Sequence, residues 1–125
     1  MASGTGARPL PERADERELL GISGIRALSI QVDANKTATF TFSNGDPKDG
    51  LLVMSAGATT LTKRGLYIYG CTTTGPIATT AILAPTQSGM SVTDSGRTFK
   101  IVNGSSALFV CVLAFQGSLP TVTVT

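Results

Sequence analysis

Histidine and tryptophan are both absent from this 125-residue chain. Without histidine the side chain most often used as a general base near neutral pH, and the commonest nitrogen ligand for metals, is missing. Ser–His–Asp and Cys–His arrangements are therefore excluded. Charge is also scarce. Asp, Glu, Lys and Arg make up 14% of the residues and the formal net charge is +2, against roughly 25% charged residues in an average soluble domain. That is too little for a helical bundle or coiled coil. It is also too weakly basic to track a phosphate backbone, which needs clustered Lys and Arg, so no nucleic-acid partner is expected. No apolar run approaches the roughly 20 residues of a membrane span. The longest, residues 107–115, is strand-sized. The opening Met-Ala-Ser-Gly-Thr-Gly has no apolar core of a secretory signal, so the expectation is a protein made and held in a cytoplasm until released. Cys71 and Cys111 lack CxxC spacing and histidine neighbours, which argues against zinc and for thiols. Their pairing is left open. The glycine-rich and nucleophile-elbow motifs of nucleotide sites and hydrolases are missing, and no cofactor or metal is expected. Asn44, Asp46 and Asp49 gather oxygen ligands without the spacing of a calcium loop.

What is present is 18 Thr, 11 Ser and 14 Gly beside 42% hydrophobic residues. The apolar content suffices for a core, and one domain fits the length. The charges divide the chain. Residues 1–24 carry seven and residues 65–125 only three, Asp94, Arg97 and Lys100. The first region reads as an attachment arm with a short helix over residues 11–20. Pro11 suits the first helical position, Glu12, Asp15 and Glu16 complement the helix dipole, and Gly21 suits the stop. Its large apolar groups are Leu10, Leu19 and Leu20, so a helix this short needs a partner surface to persist. A frayed terminal arm and a docking arm are both consistent with these residues.

Residues 25–125 read as strands throughout. Leu28, Ile30 and Val32 share a face. Thr37, Thr39 and Thr41 alternate with Ala38, Phe40 and Phe42, the period-two pattern of a half-buried strand. Apolar segments follow at residues 51–56, 66–69, 77–84, 90–92, 99–102, 107–115 and 122–124. Asn44-Gly45-Asp46-Pro47, Asp94-Ser95-Gly96 and Asn103-Gly104 supply turns between them. Eight or nine strands at this spacing predict an all-β, antiparallel β-sandwich of jelly-roll type. With so few charges, the solvent faces must be covered by Thr, Ser, Gly and Asn or by another subunit, and a closed homo-oligomer is the expectation.

Candidate contact residues are few. Tyr67 and Tyr69 alternate with Leu66 and Ile68, so one pair faces the core. Outward tyrosines, with Lys63 and Arg64 beside them, would form a platform for a sugar ring. Inward ones would pack in a sheet or subunit interface. Thr72, Thr73 and Thr74, and the loop over residues 103–106, are further contact tips. Asp33, Asp46, Asp49 and Asp94 all sit in turn-like contexts, and with no histidine a non-enzymatic protein is expected.

Three segments together carry a resemblance: Gly50-Leu-Leu-Val-Met-Ser-Ala-Gly, Arg64-Gly-Leu-Tyr-Ile-Tyr-Gly, and Phe99-Lys-Ile-Val-Asn-Gly-Ser-Ser-Ala-Leu-Phe-Val-Cys-Val-Leu. Across about residues 25–118 the chain resembles small β-sandwich virion proteins of tailed bacteriophages, of head-decoration, head-fibre or tail-fibre-tip type. The resemblance implies a structural virion protein, a homotrimer, anchored through residues 1–24 to a larger capsid or tail protein. No site residue is implied by it. The alternative reading is a lectin-like module that binds a cell-surface glycan.

Overall fold

The computed structural model describes residues 24–57 and 60–125. Within the described residues nine strands form two antiparallel sheets: β1 (Arg26–Val32), β2 (Thr37–Thr41), β3 (Lys48–Ser55), β4 (Gly65–Cys71), β5 (Ala78–Leu83), β6 (Ser91–Ser95), β7 (Thr98–Val102), β8 (Leu108–Gln116) and β9 (Thr121–Val124). One sheet runs β1-β8-β3-β4-β5 and the other β6-β7-β2-β9. The expected all-β sandwich is what the chain adopts. The helix expected over residues 11–20, and Leu10, Leu19 and Leu20, lie outside the described residues.

Period-two patterning decides which side of each strand is inside. In β8, Leu108, Val110, Val112 and Ala114 are buried while Phe109 and Phe115 are exposed. In β2, Ala38 and Phe40 are buried between the threonines. The two inner faces meet in an aromatic centre. Phe40 stacks on Phe99 with ring centroids 4.7 Å apart, and Phe42 lies 5.1 Å from Tyr69 and 5.6 Å from Phe99. Each such buried ring contributes about 1.5–3 kcal/mol by removal from water, so this centre joins the sheets more firmly than any polar contact at the rim.

The connectivity corrects one detail of the expectation. The pairing of β2 with β7 nests inside that of β1 with β8, as in a jelly roll. The middle strands leave that scheme, since β3, β4 and β5 follow one another as a meander in one sheet. Turn chemistry explains another difference. Gly96, at φ 58°, makes the two-residue hairpin between β6 and β7, where Ser95 pairs with Thr98. Asn103-Gly104 was expected to do the same, but the chain there crosses from one sheet to the other. Asn103 is buried at the crossing.

Polar groups close the sandwich ends. The Arg97 guanidinium donates to the carbonyls of Thr72 (3.0 Å), Gly75 (2.7 Å), Phe42 (3.4 Å) and Ser43. It thereby ties the β2–β3 and β4–β5 loops to the β6–β7 hairpin. At the strand edges, the Asp94 carboxylate accepts from the Thr79 N–H (3.0 Å) and hydroxyl (2.8 Å). Lys48, itself buried, pairs with Asp46.

Candidate functional site

The four residues singled out as a sugar platform fall close together in the chain but not on one surface. A 3-10 turn at Leu61–Lys63 leads into β4. Lys63 is fully buried. Its Nζ donates to Asn103 Oδ1 at 2.5 Å and to the Ser106 carbonyl at 2.9 Å. Asn103 Nδ2 in turn donates to the carbonyls of Val32, Asp33 and Ser106 at 3.0, 3.0 and 2.9 Å. The network satisfies an ammonium where water cannot reach it, and burial pushes the Lys63 ammonium below its ordinary range. It pins the crossing loop between β7 and β8 to the end of β1.

Tyr67 and Tyr69 face inward. Tyr69 is 1% exposed and Tyr67 7% exposed, so their ring faces are spent on the core and no platform forms from them. Desolvation raises both phenols, Tyr69 to about 12 with help from the Asp49 charge. Arg64 alone of the four is exposed. Thr72, Thr73 and Thr74 are exposed at the far end of β4. Asp46, one of the three oxygen donors considered for calcium, is held by Lys48, whose hydrogen bond keeps its carboxyl below the usual range, and it also accepts from the Ser118 N–H. Among the described residues no three His, Cys, Asp or Glu side chains gather as a metal site. Cys71 and Cys111 are free and half-buried.

The distinctive surface is the outer face of the five-stranded sheet. Register places its residues in rows. One row runs Leu113–Leu51–Ile68–Thr80 across β8, β3, β4 and β5, and the next runs Cys111–Val53–Leu66–Leu83. Phe109 and Phe115 extend them along β8. No charged residue occupies either row. Ile68, Leu83, Phe109 and Phe115 are among the large apolar side chains most open to solvent. Beside Phe109, a groove of about 350 Å³ opens over β8 between β1 and β3, lined by Ser29, Gln31, Val53, Ser55, Phe109 and Cys111 among others.

The opposite sheet presents a different outer face. There the matching row is Thr123–Thr39–Lys100–Thr93 across β9, β2, β7 and β6. Hydroxyls and one ammonium suit water. The same fold thus carries one solvated face and one apolar face. The length and apolarity of residues 107–115 were the sequence signal for the second, whereas the buried Lys63–Asn103 network gave none, because a lysine and a turn asparagine both read as surface residues.

No family model matches the chain, and no curated protein does. Among solved structures the chain is similar to the tailspike protein gp49 of Acinetobacter baumannii bacteriophage Fri1, a capsular polysaccharide depolymerase. The match has a TM-score of 0.53 at 12% identity and covers 98% of this chain and 25% of that one. At that identity it speaks for the fold, and this chain spans about a quarter of that protein's chain. It nevertheless corrects the expectation of a non-enzymatic protein. The sandwich is shared with part of an enzyme, and the missing histidine carries less weight than supposed, because glycosidic bonds are commonly cleaved by a pair of carboxylates.

Proposed function

We propose that the chain is a structural β-sandwich of a tailed-phage virion, a homotrimer joined to a larger head or tail protein through residues 1–24. The observation that carries this reading is the likeness, over 98% of the chain, to part of a phage tailspike. The charge-free outer rows of the five-stranded sheet support the oligomer, since a monomer rarely leaves so continuous an apolar face in water. The seven charges of residues 1–24 support a separate role for that segment.

An antibody raised against the recombinant chain tests the reading. Gold label on the heads or tails of particles from the phage that encodes it is the expected result. Absence of the chain from purified particles overturns it. Removal of residues 1–20 is expected to leave folded protein that no longer joins the particle.

A second reading, recognition of a cell-surface polysaccharide, is favoured by what the tailspike acts on. Because Tyr67 and Tyr69 are inside, such binding rests on exposed groups, Arg64 at one end of β4 and Thr72, Thr73 and Thr74 at the other. Saturable binding on a glycan array, lost in Arg64→Ala or Thr73→Ala, is its test.

A further inference from the structure

We infer that the outer face of the five-stranded sheet is the surface on which copies of this chain meet, and that the groove beside Phe109 receives an apolar side chain of the neighbouring copy. The inference rests on the homo-oligomeric reading above and names the surface it uses.

Three features point to a second copy as the occupant. The first is chemical. The rows Leu113–Leu51–Ile68 and Cys111–Val53–Leu66–Leu83 offer no charge to a charged partner, and aliphatic and aromatic groups match best a surface made of the same groups. The chain carries such a surface itself, with Phe115 and Ile68 standing out of it as knobs and the groove over β8 as a hole. The second is size. Five strands of six to nine residues at about 4.8 Å spacing, rising about 3.4 Å per residue, give a face of roughly 600 Å². That approaches the ~800 Å² each partner contributes to a stable protein interface. The third is asymmetry. The threonine-and-lysine face of the other sheet shows how this sequence treats a surface meant for water, and the apolar face departs from it on every strand from β8 to β5.

Phe109 walls the groove, whereas Ile68 stands on β4 and Phe115 at the other end of β8, so a neighbour's Ile68 or Phe115 enters this copy's groove while this copy's own two stay available. Such a head-to-tail contact closes into a ring when the rotation permits, and a threefold ring is one such closure.

Cys111 reports on this face without mutation, because its thiol lies in the second row and is half-buried in the single chain. Light scattering on the wild-type chain is expected to give a multiple of 12.8 kDa. Alkylation of Cys111, located by peptide mass, is expected to slow by ~10-fold or more when the chain is concentrated from the dissociated to the assembled range, as thiol reactivity follows access. Ile68→Glu and Phe109→Glu are expected to yield folded monomers in which Cys111 labels quickly, while Thr39→Glu on the other sheet keeps the wild-type mass. A monomeric wild type, a Cys111 rate independent of concentration, or an oligomer that survives both glutamates overturns the inference. A monomer whose Cys111 becomes reactive only after removal of residues 1–20 also overturns it, by assigning the face to that segment. None of these results bears on whether the chain belongs to the particle, which the antibody label decides separately.

Discussion

The Tyr69 hydroxyl donates a hydrogen bond to the Leu113 carbonyl, 3.3 Å away, and the ring reaches it by lying over Gly50. Gly50 pairs with Tyr69 on one side and Ala114 on the other. A Cβ at this position would stand 1.9 Å from the Leu113 oxygen and 2.6 Å from the Tyr69 hydroxyl. Three adjacent strands, β8, β3 and β4, are thus locked at one point by an aromatic side chain that needs its neighbour to have none.

Gly50→Ala is therefore expected to destabilise the fold by about 3 kcal/mol, the upper range for overpacking a dense interior. Gly70→Ala is the control. Its added Cβ meets nothing closer than 3.4 Å, so its stability is expected within about 1 kcal/mol of wild type. Urea unfolding of the two variants checks the contrast, and equal midpoints would show that the ring does not need the gap.

The Lys63–Asn103 network makes a second expectation. Asn103→Ala leaves the buried ammonium with the Ser106 carbonyl as its one remaining acceptor and takes from the Val32 and Asp33 carbonyls their shared side-chain donor. A loss of about 2–4 kcal/mol follows from leaving a buried charged donor short of an acceptor. Lys63→Met removes the charge and keeps the stem, leaving one carboxamide oxygen unsatisfied, for a loss of about 1–3 kcal/mol. Thermal melts of both proteins establish the order.

Stability in alkali is set by opposing groups. Tyr69 titrates near 12 when folded against an ordinary 10. The folded state then holds a proton the unfolded chain has released, so this contribution is complete below pH 10 and lost as pH rises through 12. Two units correspond to on the order of 2–3 kcal/mol. Lys63 has the opposite sign. Its folded value lies below 10.5, so its cost is full at lower pH and is relieved as pH rises towards 10.5. Melting temperature against pH is expected to fall steeply above pH 10 in the wild type and less steeply in Tyr69→Phe.

Arg97 supplies the fourth expectation. A lysine in its place delivers one compact ammonium where a planar fork now reaches carbonyls of Phe42, Ser43, Thr72 and Gly75. Arg97→Lys is expected to cost about 1–2 kcal/mol and to raise amide exchange in the β2–β3 and β4–β5 loops first. Uniform exchange across all strands would place the loss elsewhere.

These contacts also mark what the sequence discloses and what it withholds. Alternation in residues 37–42 is enough to assign the inner and outer positions of β2, because threonine marks one side, whereas residues 107–115 are apolar on both sides and only the structure shows which side of β8 is inside. Strand order is not legible, because pairing β1 with β8 depends on partners far along the chain. The tyrosines show the limit of a local pattern. Leu66 and Ile68 are as apolar as Tyr67 and Tyr69, so period two separates the pairs without saying which is inside. The choice is made by Gly50, whose missing side chain admits the Tyr69 ring. Asn103 and Lys63 mislead for a related reason, since each is buried by the other.

The nested pairing of β1 with β8 has a consequence for synthesis. Arg26 finds its partner in Ala114, and Val32, on the inward side of β1, cannot be covered until β8 has emerged and slid between β1 and β3. Contacts of such long sequence separation fold slowly, in milliseconds to seconds. The meander of β3, β4 and β5 joins neighbours in sequence and can form while the ribosome is still working. The first strand of the sandwich to be translated is thus among the last to be shielded, and during that interval it is the part of the nascent chain most in need of a chaperone.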